Sequence, residues 1–199
     1  MGCRGEGNMS SLIGHSLVGW TVGRSLPQFK RARSRLLWHS SLIVAAIAPD
    51  FDYLIPWLRR DGLRLTHSVS FALLVPLLAS LCVVGHIRSQ RIRAAGFLVL
   101  TGLSHLLLDL LVGVSALPLL WPLSEARFKL PFGLLPSAGK PSLTNIYLYQ
   151  NLLIELGVLV PLSASLWVWQ SGWRRRWIVI AGLLAVSAYF MHWAYGLSR

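Results

Sequence analysis

Six acid and imidazole side chains stand inside stretches that otherwise read as membrane. Asp50 and Asp52 lie in AAIAPDFDYLIPW, His67 opens HSVSFALLVPLLASLCVV, and His105 and Asp109 interrupt GFLVLTGLSHLLLDLLVG, with Glu155 in NLLIELG. An ionisable group at hydrocarbon depth is costly and is kept only where partners or a function retain it. Histidine and carboxylate are metal-ligand types suited to zinc, manganese or iron. Together they point to a divalent metal held in a helical membrane protein, and the residue types alone leave open which metal.

Spacing sharpens each case. His105 and Asp109 are four apart, so one helix face carries both and both could reach one ion. An intramembrane His–Asp hydrogen bond explains that pair as well. Asp50 and Asp52 are two apart and diverge on a regular helix. Both can face one site only if the helix breaks, and Pro49 gives a reason for a break. Asp52 otherwise reads as an interfacial carboxylate. His67 sits between Thr66 and Ser68 at a segment start, where hydroxyls cap helices. His15, in SSLIGHSLVGW, is a further candidate ligand, although packing of a short helix accounts for it nearly as well. Asp52 and Glu155 are the candidate general bases. Glu155 could equally be a ligand or a carboxylate paired with an arginine. Arg59, Arg60, Arg64 and Lys129 could hold an anionic group such as a lipid phosphate, or simply snorkel to head groups. His39, His86 and His192 border basic or aromatic interface residues and read as structural.

The elements that must position these groups follow from composition. The chain has 199 residues, 54% hydrophobic and 13% charged, about half the charged share of a soluble domain. Spanning the hydrocarbon takes about 20 apolar residues per helix. The expectation is an all-α, polytopic helical membrane protein of five to six membrane segments in a single domain over residues 10–199, after a disordered extension at 1–9. The segments fall at 10–23, 36–58 with a kink near Pro49, 67–85, 94–111, 146–169, and from 177 to about 197. Residues 112–146, rich in Pro, Gly, Trp, Phe and Leu, read as a re-entrant or interfacial connector.

The net charge of +12 comes from 19 Lys and Arg against 7 Asp and Glu. The basic residues cluster in Arg24–Arg35, Arg88–Arg93 and Arg174–Arg176, which fits the positive-inside bias and anionic lipid better than nucleic acid. Several of the nine Trp flank the apolar runs as an aromatic belt would. Cys3 and Cys82 make no disulfide framework or zinc motif, and residues 1–8 lack the apolar core of a signal peptide. With those basic connectors cytoplasmic, alternation of the spans brings Asp50, Asp52, His67, His105, Asp109 and Glu155 to the outer leaflet.

Five stretches in order resemble a known family: GHSLVGW from Gly14, PDFD from Pro49, THS from Thr66, GLSHLLLDLL from Gly102 and LPLLWPLSEARFKLP from Leu117. They cover most of residues 12–135 and are similar to the membrane-bound, metal-dependent hydrolases of the bacterial inner membrane. The resemblance implies a helical membrane fold, an inner-membrane location and hydrolase activity, with His15, Asp50, Asp52, His67, His105 and Asp109 as its polar positions. Two departures stand. Tyr53 follows the second aspartate where members often carry His. GLRL precedes the THS, with Gly62 where a further His would fall. That leaves open the number of metals and a catalytic acid at that place, with Arg64 as positive charge nearby. The apolar connector suggests a small or lipid substrate, such as a phospholipid or lipid phosphoester. The rival is a metal or proton translocator, or a scaffold around a structural ion. Only Thr101 and Ser104 continue a polar path through the fourth segment, which argues against translocation.

Overall fold

The computed structural model describes residues 11–24, 32–53, 55–60, 63–84, 91–113, 115–135 and 144–197. The expected extension at 1–9, most of the first two basic connectors and Gly62 lie outside them, as do the side chains of Cys82, Arg59 and Arg60. The helices are α1 (Leu12–Gly23), α2 (Ala32–Ile47), α3 (Val69–Val84), α4 (Arg91–Val112), α5 (Ile146–Gln170) and α6 (Arg176–Tyr195). A two-residue hairpin, β1 (Arg59–Arg60) with β2 (Leu63–Arg64), lies between α2 and α3, flanked by 3₁₀ turns.

Three helices are long and apolar enough to cross a bilayer: Ile92–Val112, Ile146–Gln170 and Arg176–Tyr195. Val69–Leu81 is a shorter apolar helix. The 12 residues of α1 extend only about 18 Å at the α-helical rise, short of the roughly 30 Å hydrocarbon core. Helix α2 stops after 16 residues.

The chain packs as two compact units. The first comprises Met1–Gly14, Leu108–Ala116 and Lys129–Arg199. Its frame is the α5–α6 hairpin, where Ser187 Oγ donates to the Val158 carbonyl at 3.0 Å. Asn145 caps α5 by accepting from the Tyr147 N–H at 3.2 Å. At the opposite end the Arg176 guanidinium lies 5.8 Å from the Trp169 ring and 5.4 Å from the Trp177 ring. A cation between indoles suits a head-group level, where amphipathic rings and arginine both settle. Leu153, Val160, Leu166, Ile178, Leu184 and Val186 remain exposed, an outer surface that only an apolar solvent would satisfy.

In this unit Glu155 is 2% exposed. Its two carboxylate oxygens accept the Ser11 N–H at 3.1 and 3.2 Å. Ser11 Oγ in turn accepts the Gly14 N–H at 3.0 Å, the N-cap bond that opens α1. A Cβ on Gly14 would run into Glu155 Oε1, so glycine there permits the close approach.

The second unit comprises His15–Leu107 and Leu117–Phe128. Its apolar core is Trp38, Leu42, Ala45, Ala94 and Leu98, with Val22 and Phe97 packed against it. Trp38 Nε1 donates to the Gly23 carbonyl at 3.1 Å, which joins α2 to the end of α1. Helices α3 and α4 meet at Gly102, where a Cβ would collide with the Ala72 carbonyl and Pro76 Cγ, whereas a Cβ on Gly96 meets nothing within 4 Å. Gly102→Val is therefore expected to cost about 1–3 kcal/mol through overpacking and Gly96→Val much less. The midpoint of thermal unfolding in detergent should fall by several degrees for the first alone.

The connector after α4 forms no helix among its described residues. Leu117 and Phe128 pair as an antiparallel bridge. The Leu119 carbonyl accepts the Val69 N–H at 2.9 Å and the Trp121 carbonyl accepts Ser70 Oγ at 2.8 Å. The loop is thus pinned to the first turn of α3, and Leu123 at its tip is 91% exposed.

Candidate metal centre

Helix α2 ends where the sequence calls for a break. Ile47 is its last residue, and Ala48–Tyr53 tightens into a 3₁₀ turn carrying Asp50 and Asp52. Pro49 has no N–H to return to the helix, and the change of winding lets two carboxylates that would diverge on an α-helix be held together. Arg64, the last residue of β2, clasps both. Its Nη2 lies 3.2 Å from Asp50 Oδ1 and its Nε 3.0 Å from Asp52 Oδ2.

The hairpin runs directly into the 3₁₀ turn Leu65–His67. Thr66, His67 and Ser68 are all fully buried. Ser68 Oγ accepts the Phe71 N–H at 3.3 Å, so it caps α3 as the sequence suggested. Thr66 acts differently. Its Oγ1 is 3.1 Å from His67 Nδ1 and fixes the imidazole instead.

His105 enters from α4. Its Nδ1 is 2.7 Å from the Ala46 carbonyl. A carbonyl only accepts, so Nδ1 carries the proton, and in the neutral ring the lone pair is on Nε2. This is the arrangement that metal-ligating histidines use, with the far nitrogen tied to a carbonyl and the near one presented. Nε2 of His105 faces His67 Nε2 at 3.3 Å and Asp50 Oδ1 at 3.8 Å. His67 Nε2 is 3.5 Å from the same carboxylate oxygen. His15 completes the group from α1, its ring stacked on His105 with centroids 3.8 Å apart and planes 18° apart.

His15, Asp50 and His105 each offer a ligand atom within 4.8 Å of the others, a group that could hold a metal ion. All are at most 4% exposed. The donor set fits a divalent cation. The lone pair of His105 Nε2 faces Asp50 Oδ1, and Asp50 Oδ2 is buried with no hydrogen-bond partner among the described residues.

The second unit thus brings together His15, Asp50, Asp52, His67, His105 and Arg64. Asp109 follows His105 by one turn on α4 and is buried. It falls in the first unit, as does Glu155, whose carboxylate holds the amino end of α1. Lys129 is exposed at the start of that unit's third segment. His39, read as structural, sits against Trp20 and donates from Nδ1 to the Arg35 carbonyl at 2.8 Å.

Sequence reasoning did not find the Ala46 carbonyl, the Thr66 contact or the Arg64 clasp. Thr66 left a trace as the residue adjoining His67, and Arg64 as positive charge near the site, although its grip on both aspartates did not.

Exposed apolar helix faces, three spanning-length helices and buried His and Asp side chains define a multi-pass helical membrane protein with a candidate metal centre. The chain belongs to the YdjM inner membrane protein family, whose model matches residues 9–196. It is 32% identical over 183 residues to the inner membrane protein YbcI of Escherichia coli (strain K12), a match covering 84% of this chain and 100% of the relative. The bacterial inner membrane is accordingly its location. No solved structure matches it.

Proposed function

We propose that this protein is a membrane-bound, metal-dependent hydrolase acting on an amphiphilic substrate, a phospholipid or other lipid phosphoester. The observation that carries the reading is the His105 hydrogen bond to Ala46, which turns Nε2 toward His67 and Asp50 inside a buried cluster. His67, His105, Asp50 and His15 would hold the ion, with Asp109 one helical turn from His105. A divalent cation there supplies Lewis acidity and lowers the pKa of water toward neutrality. Zinc suits this imidazole-rich set best, with manganese or iron as the other choices.

The chain's own groups do the rest. Ala46 and Thr66 keep the two imidazoles in place. Asp52, oriented by Arg64 Nε, accepts the proton. Arg64, which clasps both aspartates, supplies positive charge for an anionic head group. The loop pinned to α3 presents Leu120 and Leu123 as apolar surface, which suits an acyl chain.

Purified protein loaded with Zn²⁺ or Mn²⁺ should release phosphate or soluble head group from mixed phospholipid vesicles, and chelation should abolish the release. Stoichiometric metal with no turnover across a panel of lipid phosphoesters would leave the second reading, a scaffold around a structural ion. One observation favours that alternative: Asp52, the expected base, is bound to Arg64 rather than aimed at an open face.

A further inference from the structure

We propose that the turn joining α5 to α6 binds the head group of an anionic phospholipid, one whose phosphate carries no balancing amine. The turn reads SGWRRRW over 171–177, with three consecutive arginines, and no Asp or Glu follows Glu155 in the chain. Glu155 itself is separated from Gln170, the last residue of α5, by about 22 Å of helix, and its carboxylate accepts the Ser11 N–H. Among the described residues no carboxylate pairs with Arg174, Arg175 or Arg176. Three adjacent like charges call for a counter-ion, and this part of the chain supplies none.

Snorkelling alone would leave all three side chains loose. Arg176 is not loose. Its Nη1 donates to the Trp169 carbonyl at 3.3 Å, and its guanidinium lies 5.8 Å from the Trp169 ring and 5.4 Å from the Trp177 ring. Those two rings meet edge to face at 5.1 Å. A guanidinium held this way presents its remaining N–H donors in a fixed fork, the shape that a phosphate accepts. Arg174 and Arg175 are exposed beside it and add charge. Gly172, at φ 68°, turns the chain so that the arginines follow closely on the end of α5. The first turn of α6 has neither an acid nor a side-chain cap, which adds to the positive field. Trp169, Trp173 and Trp177 are 54%, 54% and 55% exposed, amphipathic rings suited to the glycerol level of the same lipid. A zwitterionic lipid would bring its own ammonium against the arginines, so the turn should select on head-group charge. It lies in the first unit and shares no residue with the metal centre, so either can fail without the other.

The test is native mass spectrometry of the full chain in mixed micelles holding equal amounts of phosphatidylglycerol and phosphatidylethanolamine. Wild type is expected to retain phosphatidylglycerol in clear preference. Arg174→Gln/Arg175→Gln should lower that preference by about fivefold per arginine removed. Arg33→Gln/Arg35→Gln, which takes the same charge from exposed positions of α2, should keep it. No preference in wild type would overturn the assignment, and that measurement needs no variant to fold. Equal loss in both double variants would also overturn it, because net charge and not this turn would then be the cause. Displacement of the lipid by inorganic phosphate would overturn it as well, making the turn a site for the free anion.

Discussion

His105→Ala is expected to empty the metal centre. Losing an outer-shell partner of a ligand typically costs about 10–100-fold in affinity, and losing the ligand itself should cost more. His105 is the residue on which the cluster turns: it contacts His67, Asp50 and the His15 ring. The substitution also strands the Ala46 carbonyl in a buried place, which adds about 1–3 kcal/mol of instability. Metal per chain should therefore fall to background, with a lowered thermal midpoint that added zinc no longer raises. His192→Ala, on an exposed position of α6, should leave metal content unchanged. A His105→Ala protein that keeps stoichiometric, tightly held metal would reduce His105 to a structural hydrogen bond.

Asp50 and Asp52 are expected to separate. Asp50→Asn replaces the oxygen that stands within 4 Å of both His67 Nε2 and His105 Nε2 and removes the charge that draws a cation. Metal should be lost nearly as completely as in His105→Ala. Asp52→Asn leaves that oxygen in place and alters the grip of Arg64 instead. It should retain the ion while lowering turnover by the 10²–10⁴-fold typical of a lost general base. Metal content and phosphoester release, measured side by side, read the two effects apart. Equal loss of metal in both variants would make Asp52 a ligand rather than a base.

The helices were legible because hydrophobic runs and their breakers act locally. The run 146–169 is α5 to within a residue, and Asn145 was available to cap it. The kink expected near Pro49 is the end of α2 at Ile47. Spanning length was less legible. Composition suggests five or six crossings, but α1, α2 and α3 are shorter than the three helices that meet spanning length. Apolar character shows what a segment dissolves in, and only its hydrogen-bonded extent shows how far it reaches.

The site was legible in its residue types and much less in its pairings. His15 looked marginal because a short, small-residue helix explains a histidine without chemistry, and only tertiary packing stacks it on His105. Glu155 reads from sequence as a base, a ligand or an arginine-paired carboxylate, and no spacing marks that its carboxylate accepts the N–H of Ser11, 144 positions away. The orienting partner of His105 is a main-chain carbonyl. Every residue has one, so no side chain in the sequence could mark it.

Pro49 accounts for why that carbonyl is at hand. Three residues beyond Ala46, where a tightening helix would look for a donor, the chain has a ring nitrogen without hydrogen. The proline that turns the aspartates inward thereby also withholds a competitor from the acceptor that sets the His105 tautomer. An imino acid on one helix thus governs where a proton sits on another, and the two positions should be inherited together.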